Sequence, residues 1–255
     1  MSESLFIVMP VYNEEGSIAD VLNDWIPIVE SQHNNRLLVI NDGSKDSTLD
    51  ILKLFAKDHP QLNILDKANS GHGSSIYQGY KYALEHEADY IFQTDSDGQT
   101  LASEFKGFWD LMQDKDKMPD AVMGIRAQRK DGASRVFVTK VLKGVIRMTM
   151  HADIEDANVP YRLIRKDALR EAISYVPQNH NLTNIVLSTA LVRGNKKIEW
   201  VPITFKPRSS GVNSINIRKI IKIGMAAVDD FKCLDKTLQI GVISVLWHFA
   251  LQQIS

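Results

Sequence analysis

The stretch Tyr90-Ile91-Phe92-Gln93-Thr94-Asp95-Ser96-Asp97-Gly98-Gln99 is an apolar run that ends abruptly in two carboxylates one residue apart. In an extended chain residues i and i+2 point the same way, so Asp95 and Asp97 converge where a buried strand leaves its sheet. Two hard oxygen donors on a short loop suit Mg2+ or Mn2+, which keep several waters and share the rest of their shell with substrate phosphates. A strand-ending turn draws on the same residue types, since Asp, Ser and Gly are all turn formers. An EF-hand loop is excluded: counted from Asp95, the sixth position is Thr100 where Gly is needed, and the twelfth is Lys106 where Glu is needed.

Upstream, strands alternate with helices. Leu5 to Met9 is a continuous apolar run that reads as a strand buried on both faces, ended by Pro10-Val11-Tyr12-Asn13-Glu14. Ser17 caps the next helix, with Asp20 in a capping-box-like position and Ile18, Val21, Leu22, Trp25 and Ile26 at helical spacing. The unit repeats as strand Arg36 to Ile40, loop Asn41-Asp42-Gly43-Ser44, and a helix carrying Leu49, Ile51, Leu52, Leu54 and Phe55. A strand at Leu62 to Leu65, the loop Asn69-Ser70-Gly71-His72-Gly73 and a helix around Ile76 to Leu84 lead to the strand ending at Asp95. This alternation predicts an α/β fold with a doubly wound, mostly parallel sheet, flanking helices and a ligand at the carboxyl edge. Tyr12, Asn13 and Glu14, then Asn41 and Asp42, then Asn69 and Gly71, then Asp95 and Asp97 all fall between a strand end and a helix start, so they gather on that edge. The chemistry is that of a nucleotide site. It is not a G-x-G-x-x-G dinucleotide site, because the third glycine would fall at Ile76.

Downstream, a helix from Ser103 to Met112 sets Phe105, Phe108, Trp109 and Met112 at core spacing, and Ala121 to Ile125 is another strand. The loop from Arg126 to Arg135 is rich in charge and can close over an anion. A helix over 136–150, a polar loop over 153–160, a strand Tyr161 to Ile164 and a helix Leu182 to Val192 follow. Ile198 to Phe205 alternates like an edge strand, a position Pro202 favours. Arg208 to Ser214 joins one cation to Gly211 and small polar residues, a loop suited to folding over a diphosphate. The predicted domain therefore runs over 1–214, with a nucleotide-binding half to about residue 100 and an acceptor half beyond. Residues 215–255 form a helical appendage in which Arg218, Lys219 and Lys222 flank Ile217, Ile220, Ile221 and Ile223. That pattern suits a membrane surface, a packed helix or a homodimer interface.

Thirty basic against thirty-one acidic side chains give a formal charge of -1, so no global field favours nucleic acid. The single Cys233 excludes an internal disulfide and fits a reducing compartment. Residues 1–10 hold Glu3, no Lys or Arg, and a short apolar run, which argues against a signal peptide. Ile240 to Leu251 is shorter than the roughly 20 residues a spanning helix needs. A cytoplasmic protein, with peripheral contact at the inner face of a membrane through 215–255, is the expectation.

Val8 to Glu15, Val39 to Thr48 and Asp95 to Gln99 resemble, in order and spacing, the three N-terminal motifs of the inverting family 2 glycosyltransferases, which have the GT-A fold. Gly124-Ile125-Arg126, Asp156 to Leu163 and Arg208 to Gly211 look like the branch containing the dolichol- and polyprenyl-phosphate sugar synthases. The resemblance implies that Pro10, Tyr12, Glu14 and Asp42 hold the base and ribose of a nucleotide-sugar donor; Asn69 and Gly71, from their place on the sheet edge, and Arg208, from its loop, are expected to complete the pocket, and UDP is expected in preference to GDP. It implies that Asp95 faces ribose and sugar, that Asp97 and Gln99 ligate Mg2+ or Mn2+, and that Arg126 and Arg135 meet an acceptor phosphate. A hydroxyl acceptor, such as a cell-envelope glycan, would need a general base, and Asp156 is the candidate with Glu155 in reserve. Two departures stand out: His180 to Asn184, where many members carry a catalytic carboxylate, has none, and the paired transmembrane helices of many polyprenyl-phosphate members are missing. Two rival classes remain, a sugar-1-phosphate nucleotidylyltransferase and a non-catalytic nucleotide-sugar-binding module. The first needs a glycine-rich basic loop where Pro10 to Glu15 stands, and the intact Asp95 and Asp97 argue against the second.

Overall fold

A computed structural model describes residues 3–126, 154–178 and 180–207. Seven strands form one sheet: β1 (Leu5–Val11), β2 (Arg36–Asn41), β3 (Leu62–Asp66), β4 (Tyr90–Thr94), β5 (Ala121–Arg126), β6 (Tyr161–Arg165) and β7 (Ile198–Ile203). Their order is β3-β2-β1-β4-β6-β5-β7. Only β6 runs against the rest, pairing antiparallel with β4 and β5. Among the described residues the α-helices are α1 (Ile18–Glu30), α2 (Thr48–Asp58), α3 (His72–Glu85), α4 (Phe105–Met112), α5 (Lys166–Ile173) and α6 (Thr183–Arg193).

Alternation along β1 explains why the run is apolar throughout. Phe6 and Val8 join a core with Ile76, Tyr80, Leu169 and Leu187 of α3, α5 and α6, while Leu5, Ile7 and Met9 join Leu22, Trp25, Leu52 and Phe108 of α1, α2 and α4. Both faces are thus covered, as a wound parallel sheet requires. The predicted aromatics of α4 are core: Phe105, Phe108 and Met112 are buried, and Phe92 meets Phe105 and Tyr161 edge-on at 5.0 and 4.7 Å. β7 is an edge strand, as Pro202 predicts.

The sheet forks between β1 and β4. Pairing of β1 with β2 continues to Val11 opposite Asn41, whereas pairing with β4 stops at Val8 opposite Gln93. Val11 O accepts from Asp42 N at 2.9 Å, so Val11 faces β2 and, by alternation in a parallel ladder, Pro10 faces the side that β4 has left. Its missing N–H therefore leaves no broken rung. This fork is also where the strand order reverses, the point at which open α/β sheets bind ligands.

Some local readings change. Ser17 stands at the N-cap of α1, but its side chain makes no capping bond; its hydroxyl donates to Glu14 Oε2 at 2.9 Å, and the Glu14 carbonyl accepts from the N–H groups of Ser17 and Ile18. α3 begins at His72, four residues before Ile76, and α5 adds a helix between the predicted strand ending at Ile164 and the predicted helix starting at Leu182. The expected helix over 136–150, the loop at Arg208–Ser214 and the appendage over 215–255, and with them the domain boundary at 214, lie outside the described residues.

Candidate functional site

A cleft of about 400 Å3 opens at the fork, lined by Pro10, Val11, Tyr12 and Glu14 after β1, Asp42 after β2, Asn69, Gly71, His72 and Ser75 at the start of α3, and Asp95, Ser96 and Asp97 after β4. The structure thus brings together the residues assigned to the donor from four separate loops, Gln99 and Arg208 aside.

Those loops are stitched to one another. Asn13 N donates to Ser44 Oγ at 3.0 Å, Glu14 N to Thr48 Oγ1 at 2.9 Å, and Lys45 N to Asn13 Oδ1 at 2.8 Å. The hydroxyls of the Asp42–Thr48 motif therefore hold the loop after β1. Asp42 itself clasps the third loop: Oδ1 accepts from Ser70 N at 2.8 Å and from Lys67 Nζ, and Oδ2 accepts from Gly71 N at 2.9 Å. Burial pushes the Asp42 carboxyl up, but the Lys67 ammonium and the two N–H groups outweigh it and hold the group below the usual carboxylate range. Gly71 allows this turn because its φ is +93°, a region L side chains rarely enter.

The acidic pair divides its contacts. Asp95 Oδ1 meets His72 Nε2 at 2.9 Å, and Asp97 Oδ1 accepts from Gln99 N at 3.1 Å. Burial pulls the His72 imidazole down, and the carboxylates of Asp95, Asp97 and Asp42 more than reverse this, leaving it above its ordinary value. Gln99 is not on the cleft wall; its Nε2 donates to Lys206 O at 2.7 Å and its carbonyl accepts from Lys206 N at 2.8 Å, tying the acidic loop to the chain leaving β7. Among the described residues no three His, Cys, Asp or Glu side chains converge as a ready-made metal cage. Two carboxylates on one loop fit a hard cation that takes its remaining ligands from water and a diphosphate.

Asp156 and Arg126, assigned above to opposite sides of the acceptor chemistry, meet each other. Arg126 Nε donates to Asp156 Oδ2 at 2.7 Å and Nη2 to Oδ1 at 2.6 Å, a bidentate pair with both side chains 10% exposed. Arg126 also lies over the Phe205 ring, 5.3 Å from its centroid. Neither Asp156 nor Arg126 lines the cleft. Arg135 and Arg208 lie outside the described residues. The segment with no carboxylate, His180 to Asn184, packs on the start of α3: Thr183 Oγ1 donates to Gly73 O at 2.9 Å, and a Cβ on Gly73 would stand 2.3 Å from His180 O.

Sequence reasoning missed Lys67 and His72 as members of the site. Lys67 follows a strand like any solvated lysine, and His72 sits between two glycines; only the neighbouring strand ends give either a carboxylate partner.

A wound sheet with a nucleotide-sized cleft at its fork, rimmed by an Asp-x-Asp loop, defines a GT-A glycosyltransferase domain. Residues 6–172 match the model of Glycosyl transferase family 2, and the chain belongs to that family, which sets aside the nucleotidylyltransferase and the non-catalytic module. An undecaprenyl-phosphate 4-deoxy-4-formamido-L-arabinose transferase of Shewanella sediminis is 23% identical over 226 residues, 85% of this chain and 63% of that protein. A dolichyl-phosphate beta-glucosyltransferase of Trichomonas vaginalis is 32% identical over 106 residues, 39% of this chain and 31% of that protein. The chain thus spans less than two thirds of these relatives. Glucosyl-3-phosphoglycerate synthase of Mycobacterium tuberculosis, in complex with UDP, shares the fold with a TM-score of 0.62 at 13% identity, over 92% of this chain and 81% of that one. No helix among the described residues is long and apolar enough to cross a membrane.

Proposed function

We propose that the chain transfers a sugar from a nucleoside-diphosphate sugar, UDP in preference to GDP, to a polyprenyl phosphate, with inversion at the anomeric carbon. The observation that carries the choice of acceptor is the Arg126–Asp156 pair. A general base must be free to receive a proton, yet both Asp156 oxygens are held by one guanidinium. A phosphate is already ionised near neutral pH and attacks without a base, so the missing carboxylate at His180 to Asn184 is no obstacle. The named polyprenyl-phosphate relatives support the same reading.

In this reading Pro10, Tyr12, Glu14 and Asp42 receive base and ribose, Asn69 and Gly71 shape the pocket beside them, and Asp95 faces the sugar. Asp97, with Gln99 beside it, would hold Mg2+ or Mn2+, which when bound neutralises charge developing on the departing diphosphate. A Mn2+–UDP complex of the Mycobacterium tuberculosis synthase, TM-score 0.59 at 12% identity over 95% of this chain and 80% of that one, supports this choice. The acceptor oxygen attacks opposite the leaving diphosphate, which inverts the centre. Arg126, held through Nε and Nη2 by Asp156, offers Nη1 to the acceptor phosphate beside Arg135, Arg208 supplies a cation for the donor diphosphate, and the appendage over 215–255 gives a peripheral membrane contact or a dimer face. The test is a panel of nucleotide sugars offered with Mn2+ and either a short-chain polyprenyl phosphate or a glycan hydroxyl acceptor. A lipid-linked sugar of inverted anomeric configuration is expected; product on the glycan alone would overturn the proposal.

A further inference from the structure

Arg162 on β6 is wholly buried, and no carboxylate among the described residues lies within ion-pair distance of it. Its acceptors are all neutral: Nε donates to Val159 O at 3.0 Å, Nη2 to Val159 O and to Ala157 O at 3.4 Å, and Nη1 to Asn184 O at 3.1 Å and Ser188 Oγ at 3.2 Å. All five N–H donors of the fork are used. Ser188 closes the ring, its hydroxyl lying 3.0 Å from Ala157 O and 2.8 Å from Asn184 O. Three carbonyls therefore converge on one guanidinium, two of them in the turn that carries Asp156 and the third in the first turn of α6. Burial pulls the guanidinium's pKa down, with Tyr80, Asp156 and Asp95 opposing. Of these two carboxylates, Asp95 lines the cleft and Asp156 lies in the turn that Arg162 holds.

We propose that Arg162 is a positioning residue for transfer: it fixes the 156–159 turn, and through Asp156 the orientation of Arg126, without taking part in donor binding. The inference rests on the transfer reaction proposed above. The geometry separates the two functions, because the cleft residues leave β1, β2 and β4 or open α3, whereas the ring around Arg162 joins β6 to α6. Lysine keeps the charge but presents three donors from one point, so it cannot reproduce the fork.

The test uses the full chain with Arg162→Lys, Arg162→Met and Ser188→Ala, read by UDP–Mn2+ calorimetry, transfer kinetics and amide hydrogen exchange. UDP affinity should stay within about twofold and β1 to β4 should keep their protection, while amides over 154–161 exchange faster. Turnover should fall about tenfold in both Arg162 variants, no further than loss of the Asp156 charge through which they act, and by less in Ser188→Ala. Parallel loss of UDP affinity and turnover, or unchanged exchange over 154–161, overturns the assignment. If the unmodified chain transfers nothing to a polyprenyl phosphate, the functional reading fails, and exchange over 154–161 with UDP affinity still decides whether Arg162 holds the turn. If neither Arg162 variant folds, Ser188→Ala, which removes only a hydroxyl, decides on the same readouts.

Discussion

Replacing Asp156 separates a structural carboxylate from a catalytic one. With both side chains 10% exposed and two bonds of 2.6 and 2.7 Å, the Arg126–Asp156 pair is desolvated. Asp156→Ala leaves the guanidinium buried and unmatched, which costs about 3–5 kcal/mol. Asp156→Asn keeps one carbonyl acceptor and loses one charge-assisted bond, about 1.5–3 kcal/mol. At about 2–4 °C per kcal/mol for a chain of this size, Asp156→Asn should lower Tm by about 3–12 °C. Contact with the Phe205 ring keeps Arg126 near its place and favours the lower end. Thermal denaturation gives the first number, and transfer kinetics to a polyprenyl phosphate give the second. Turnover should remain within about tenfold of the unmodified chain, whereas loss of a general base costs about 100-fold or more. An unchanged Tm, or a collapse of turnover with UDP affinity intact, would refute the reasoning, and the collapse would give Asp156 a part in the transfer step itself.

Asp97→Asn should abolish the Mn2+-dependent part of UDP affinity in calorimetry; equal affinity with and without metal in the unmodified chain would exclude the metal role. Gly73→Ala should destabilise by about 1–3 kcal/mol in urea titration, because a Cβ would stand 2.3 Å from His180 O and 2.6 Å from Asn181 O and only backbone movement relieves that. Asp42 carries a pH dependence: its carboxyl is held below the ordinary value, so its clasp on Lys67, Ser70 and Gly71 contributes fully above about pH 4 and is lost as pH falls through the lower folded value. The stability gap between the unmodified chain and Asp42→Asn should therefore narrow below about pH 4, and a gap constant to pH 2.5 would show that the clasp adds nothing.

The sheet was legible because parallel strands buried on both faces read as unbroken apolar runs, and Leu5 to Met9 and Tyr90 to Thr94 are such runs. The cleft followed from topology: strands wound in one direction deliver all their exits to one edge, so Tyr12, Asp42, Asn69 and Asp95 had to meet. The reversed direction of β6 was not legible, since Tyr161 to Ile164 carries the same composition whichever way it runs. The Arg126–Asp156 pair was missed for a related reason. Thirty residues separate its members, and nothing in either sequence neighbourhood distinguishes a cation awaiting a phosphate from one already matched. Arg162 sits one place from the strand's start among apolar neighbours, and its burial depends on carbonyls contributed by the 157–159 turn and by α6.

The fork between β1 and β4 gives the sheet an inner margin as well as its two outer ones. A margin is a row of unmatched backbone groups, and at an outer strand natural proteins blunt it with proline because an imino acid cannot seed another strand. Pro202 does this on β7, and Pro10 does it at the fork. At that point the cleft floor offers a carbonyl oxygen and no amide hydrogen. The gap is thereby kept from zipping shut by continued pairing with β4, and whatever lies over Pro10 must bring the hydrogen itself.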